Sequence, residues 1–144
     1  VTEPNYLIWS SLDYNYDNLV MSVEAGVLEP AGDGDFGFIC GVKDSENFWA
    51  LEISEDGYYS IWRQKGDEFT ALIDWTYADQ ISSGGPYRMA AYCGTSGLSL
   101  AVNGTLLGEI VDPEFKPGSL GLLVGTYHQS GLKVGFDNFE LKRP

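Results

Sequence analysis

The chain has 144 residues, 44% hydrophobic and 18 of them glycine, with eight Lys and Arg against 21 Asp and Glu for a formal net charge of −13. A chain of this length fits one domain that buries about two-thirds of its unfolded surface, and no apolar run approaches the roughly 20 residues that cross a bilayer, so direct membrane insertion is not expected. So few cations argue against nucleic acid, whose phosphates are bound by displacing counterions, and the acidity reads as solubility in an extracellular setting.

Residues 1–17 form an N-terminal segment with no clear pattern. From residue 18 onward apolar residues recur with period two and turn formers interrupt them every eight to twelve positions, the signature of an all-β sandwich. The alternation predicts strands near 18–28, 36–43, 48–54, 58–64, 69–75, 87–93, 98–102, 106–111, 120–127 and 132–141. At most one helical turn fits, around Tyr77 to Ile81.

In the second of these strands Phe36, Phe38, Cys40 and Val42 share one face, read as core, while Gly37, Ile39 and Gly41 share the other. Glycines there leave an indented surface against which a side chain, a backbone or a ligand can lie. Cys40 and Cys93 each sit in a strand-like run; they read either as a disulfide between neighbouring or facing strands, the favoured reading, or as two buried thiols.

Asn47 to Arg63 is the stretch richest in information. Two apolar arms flank Glu55-Asp56-Gly57, and Gly57 can take the positive φ that a tight hairpin turn needs. On the first arm Trp49, Leu51 and Ile53 share a parity that suggests core, and Glu52 and Ser54 occupy the other face, which reads as a solvent face running into a turn. On the second arm Tyr58 and Trp62 fall with Ser60 on what reads as the more open surface. Tyr59 and Arg63 fall with Ile61, and register alone does not decide which set points outward.

Stacking on a sugar needs an aromatic platform rimmed by hydrogen-bonding groups. The candidates are Tyr58, Trp62, Arg63, Trp75, Tyr77, Arg88 and Tyr92, with His128 contributing from a loop tip. Each has a plainer alternative: packing for the aromatics, a surface ion pair for Arg88, an exposed turn for His128. Glu52, with Ser54, Glu55 and Asp56, is the one dense acidic group near aromatics and the best general acid or base that the chain offers. Further on, Asn103-Gly104 between two alternating runs predicts a type I′ hairpin.

Asp33 and Asp35 flank Gly34 in an acidic loop, and with Asp137 in the last strand they are the candidate ligands for a structural calcium, which takes carboxylate and carbonyl oxygens. The alternative is Asp137 hydrogen-bonding a neighbouring turn.

Taken in order, Phe38-Ile39-Cys40-Gly41, Asn47-Phe48-Trp49, Ile53 to Tyr59, Leu98 to Gly104, Gly118 to Leu122 and Phe136-Asp137-Asn138-Phe139 resemble the concanavalin A-like lectin and glucanase jelly rolls. More narrowly they resemble the laminin-G-like and 3-keto-disaccharide-hydrolase-like bacterial domains, over roughly residues 18–142. The resemblance implies a two-sheet antiparallel jelly-roll sandwich with a concave face that binds sugars in many members. The Glu-x-Asp-x-x-Glu strand motif of the glucanases is absent, as are large loop insertions that would enclose an active site.

The leading expectation is therefore a single jelly-roll domain, 1–144, excised from a longer exported protein, secreted or held on the extracytoplasmic face of the cell. It would act as a non-catalytic carbohydrate-binding or adhesion module, with a polysaccharide or cell-surface glycan and the other domains of its parent chain as partners and no cofactor beyond a structural calcium. The alternatives are a glycoside or 3-keto-sugar hydrolase built on Glu52, and a structural or protein-interaction module without a small ligand.

Overall fold

The computed structural model describes residues 7–12, 18–30, 32–126 and 131–142. Eleven strands run through them: β1 (Leu7–Leu12), β2 (Asn18–Glu29), β3 (Asp35–Asp44), β4 (Asn47–Ser54), β5 (Tyr58–Lys65), β6 (Glu68–Tyr77), β7 (Tyr87–Gly94), β8 (Gly97–Val102), β9 (Thr105–Ile110), β10 (Ser119–Gly125) and β11 (Lys133–Lys142). One helical turn, α1 (Asp79–Ser82), links β6 to β7. The larger sheet has the order β1-β10-β3-β4-β5-β6 and the smaller β11-β2-β7-β8-β9. Every pairing is antiparallel.

Alternation builds the core between the sheets. Phe36, Phe38, Leu51, Ile53 and Ile61 of the larger sheet meet Met21, Val23, Met89, Leu98 and Leu100 of the smaller, all at most 1% exposed. Each such side chain contributes about 1.5–3 kcal/mol by leaving water. The Cys40–Cys93 disulfide crosses this core from β3 to β7, closing a separation of 53 residues. Asn103 and Gly104 take φ of 52° and 83° between β8 and β9, the positive pair that a type I′ turn requires.

Ten of the strands fall where the alternation predicts them. The eleventh, β1, lies in the N-terminal segment: its Leu7-Ile8-Trp9 start is a continuous apolar run without the alternation that marks a half-buried strand.

The larger sheet is also buried on its second face. Ile39, Phe48, Ala50, Trp62 and Leu123 form a separate apolar cluster there, and Asp35, Glu52, Ser54 and Ser60 are buried on the same side. The expectation that Glu52 and Ser54 line a solvent face is thus corrected. β3 carries the reason, since its run from Asp35 to Cys40 is buried at every position, as in a strand covered on both faces. The indented surface at Gly37 and Gly41 is filled by the protein itself. A Cβ at Gly37 would meet the backbone of Leu51 and Glu52, and one at Gly41 would lie 2.6 Å from the Trp49 ring and 2.8 Å from the Lys116 carbonyl.

Candidate functional site

The β4–β5 register pairs Ala50 with Trp62 and Glu52 with Ser60, which sets Tyr58, Ser60 and Trp62 on the outer face and turns Tyr59 and Ile61 into the core. At the sheet margin β6 pairs Tyr77 with Tyr58, Ala71 with Trp62 and Phe69 with Gln64. Between these points the register breaks, so that Asp74 and Trp75 together oppose Ser60. Such a bulge turns a strand and re-aims its side chains.

The result is a strip of rings along β5 and β6: Phe69, Tyr77, Tyr58 and Trp75 are 59%, 55%, 38% and 37% exposed. Tyr58 and Tyr77 meet edge to face with centroids 5.8 Å apart. Phe69 tilts over Trp62 at 4.9 Å, and Phe48 meets the edge of the same indole at 5.3 Å. Trp62, expected on the open surface, is only 6% exposed; it supports the strip from below. Sequence parity does not mark Phe69 or Asp74, because both stand next to a turn or a bulge where alternation gives no guidance.

Beneath the strip the Trp62 indole N–H donates to Glu52 Oε1 at 2.5 Å. Burial, and next the charge of the neighbouring Asp35 carboxylate, push the Glu52 carboxyl well above the usual glutamate range, against the pull of the Trp62 hydrogen bond. Glu52 is 0% exposed, so its proton has no route to a ligand on the surface.

The other candidates lie apart. Arg63, on the inward parity near the end of β5, reaches Asp112 Oδ2 at 2.7 Å and Glu114 Oε2 at 2.9 Å. The same Asp112 oxygen accepts the Trp49 indole N–H at 2.9 Å, and Oδ1 accepts the Glu114 amide at 2.9 Å. Burial alone would raise the Asp112 carboxyl; the bonds from Trp49, Glu114 and Arg63, with the Arg63 charge, outweigh it and hold it below the usual aspartate range. Arg88 and Tyr92 stand on β7 of the smaller sheet. Arg88 pairs with Glu24 at 3.7 Å while largely exposed, an ion pair worth little, and the Tyr92 hydroxyl meets Asn18 Oδ1 and Ser96 Oγ, each at 2.8 Å. His128 lies outside the described residues.

The three calcium candidates do not form one donor set. Asp35 is buried on the outer face of the larger sheet. Asp137 belongs to β11 at the margin of the smaller one, exposed and accepting the Asn138 amide at 2.8 Å. Among the described residues no three His, Cys, Asp or Glu side chains converge to hold a metal.

No family model matches this chain, and no curated protein sequence matches it. Solved structures do. The carbohydrate-binding module CBM66 from Bacillus subtilis superposes with a TM-score of 0.76 at 12% identity, over 99% of this chain and 84% of that one. The fold is a jelly-roll sandwich. Sheep galectin-11 follows at 0.67 and 11% identity, over 99% of this chain and 100% of that one. The GH43 protein BlXynB from Bacillus licheniformis gives 0.70 and 12% identity, over 96% of this chain but 32% of its own.

Proposed function

We propose that this domain binds a polysaccharide or cell-surface glycan without cleaving it, laying the sugar chain across the strip formed by Phe69, Trp75, Tyr77 and Tyr58. The observation that carries the reading is the strip: four exposed rings gathered along one margin of one sheet, where apolar sugar faces can stack while Asp74 and the tyrosine hydroxyls meet sugar hydroxyls. The structural likeness to a carbohydrate-binding module and a galectin supports it. A weaker support is the likeness to part of the binding domain of a botulinum neurotoxin in complex with SialylT, at a TM-score of 0.58 and 10% identity over 88% of this chain and 32% of that one. The disulfide supports an extracellular setting, and a glycan-binding domain of this kind would serve the other domains of its parent chain by holding them against the glycan.

The hydrolase alternative, and with it the narrower kinship to 3-keto-disaccharide hydrolases, draws on one feature, a buried carboxyl at Glu52 whose pKa is pushed up by burial and by Asp35. A general acid has to touch the leaving group, and Glu52 is sealed beneath Trp62. Binding is the better reading.

A glycan array followed by titration of the best neutral polysaccharide tests it. Trp75→Ala and Tyr77→Ala should each weaken binding about tenfold. Unchanged affinity in both variants, or no binding by the parent protein to any glycan, would overturn the proposal in favour of a protein-interaction module.

A further inference from the structure

The eight Lys and Arg of this acidic chain are not spread evenly. Four of them, Lys43, Arg63, Lys65 and Lys116, line a single cleft of about 480 Å³ at the end of the larger sheet. It lies where the ends of β3, β4 and β5 meet the 113–117 segment, well away in register from the Tyr58–Tyr77 end of the aromatic strip. Among the described residues its lining holds one carboxylate, Glu114.

The local charge does not cancel. Glu114 and the adjoining Asp112 engage Arg63, and Glu114 also meets Lys65 at 3.2 Å. Lys43 and Lys116 make no ion pair within 4 Å among the described residues. Asp44 lies beside Lys43 in sequence and feels its charge; its carboxylate accepts the Asn47 side chain at 2.8 Å and the Glu46 amide at 2.8 Å, bonds that favour its charged form, and it makes no ion pair with Lys43 within 4 Å. Among the described residues, four cations against Asp44, Asp112 and Glu114 leave a local excess of one positive charge in a molecule of net −13.

The cleft is also built to hold its shape. Trp49 forms part of its lining, fixed by the Asp112 bond and by edge-to-face packing on Phe115 at 4.9 Å. The Asp112 carbonyl accepts the Phe115 amide at 3.0 Å and its side chain accepts the Glu114 amide, which together fold the wall that carries Lys116. Asn47 and Gln64 stand at the rim, where Asn47 bonds Asp44 and accepts the Gly66 amide and Gln64 donates to the Gly66 carbonyl, leaving their remaining amide hydrogens and lone pairs for the cleft. Aromatic floor, amide rim and two ammonium groups without an ion-pair partner among the described residues are what an acidic sugar requires: ring contact, hydroxyl contact and charge.

We propose that this cleft binds the anionic group of an acidic sugar residue, a ring-borne carboxylate or sulfate, with Lys43 and Lys116 as its principal cations. The inference rests on the glycan-binding reading for the sugar scaffold, but it concerns a cleft that begins beside the Phe69 end of the strip, and its charge preference is separate. A single acidic glycan could engage the strip with its neutral units and the cleft with its charged ones.

Titration calorimetry at low and at 0.5 M salt decides it, using a galacturonate trimer, its methyl-esterified neutral form, a sulfated galactan oligosaccharide and inorganic sulfate alone. The charged trimer or the sulfated oligosaccharide should bind at least tenfold more tightly than the neutral trimer at low salt, and the advantage should shrink at high salt as the charges are screened. The uronate and sulfate arms tell the two anions apart, and binding of inorganic sulfate as tight as that of the oligosaccharide would overturn the sugar part of the proposal. The double variant Lys43→Gln, Lys116→Gln, two exposed side chains whose loss leaves the core intact, should abolish the preference while keeping the parent's unfolding midpoint. Equal affinity for charged and neutral trimers, or a preference that survives in the double variant, would overturn the cleft. Loss of neutral-glycan binding in Trp75→Ala with no charge preference in any protein would leave the strip standing and remove the cleft; the reverse pattern would do the opposite.

Discussion

Trp62 and Glu52 stand ten residues apart across the β4–β5 hairpin, and the indole N–H of one donates to the buried carboxyl of the other at 2.5 Å. A carboxyl whose pKa is raised in the folded state binds its proton more tightly folded than unfolded. The fold therefore loses stability as pH climbs from the unfolded glutamate value of about 4.3 toward the raised folded value. Glu52→Gln keeps an acceptor for Trp62, supplies an N–H toward Asp35 and removes the titration. The variant should resist urea better than the parent at pH 8 and match it near pH 4; identical pH profiles for the two proteins would contradict the assignment.

Asp112 has the opposite sign. Its carboxyl is depressed in the fold, so its contribution is present above the unfolded aspartate value of about 3.9 and is lost as pH falls through the lower folded value. Asp112→Ala strands the Trp49 indole and leaves Arg63 with Glu114 alone, a loss of about 2 kcal/mol at pH 7. Urea unfolding at pH 7 and pH 3 checks it, the penalty being smaller at the acid end.

Gly41 holds a φ of 58° against the Trp49 ring. Gly41→Ala meets both a left-handed backbone and a Cβ with no room, and should cost about 1–3 kcal/mol. Thermal unfolding measures the cost, and the near-ultraviolet dichroism of Trp49 should change with it.

Reduction of the Cys40–Cys93 bond frees a 53-residue loop. On the chain-entropy account the unfolded state gains about 4 kcal/mol. Unfolding with and without a reductant, or of a Cys40→Ala, Cys93→Ala variant, reads this directly.

The Trp75 ring is more than a third exposed and has no ring partner among the described residues. Trp75→Ala should leave stability within about 0.5 kcal/mol, in contrast to Trp62→Ala, which opens a cavity between Phe48 and Phe69 and should cost about 3–5 kcal/mol. Matched chemical denaturation curves distinguish the two tryptophans.

Much of this architecture is legible from period two alone, because strands with one buried face alternate: Met21, Val23 and Ala25 on β2, or Leu98, Leu100 and Val102 on β8, announce their side of the sheet. Trp49, Leu51 and Ile53 read as core in the same way and are core. What parity does not carry is a second buried face. Glu52 and Ser54 occupy polar positions of an alternating strand, and only the pairing of Ile39, Ala50, Trp62 and Leu123 across β3, β4, β5 and β10 encloses them. The Arg63–Asp112 contact joins residues 49 apart in sequence, and nothing local marks it. Tyr58 and Trp62 share a face as read, yet one is open and the other covered, a difference made by Phe69 from the next strand.

The bulge at Asp74 and Trp75 does more than aim an indole. β6 ends the larger sheet, and a straight outermost strand of ten residues with exposed aromatics would offer its free amides and carbonyls to a second molecule as a template for fibrous self-association. The two register breaks in its pairing with β5 interrupt that template, and Glu68 and Asp74 set negative charge along it. The irregularity that makes the margin sticky toward a ligand thus also makes it a poor seed for aggregation.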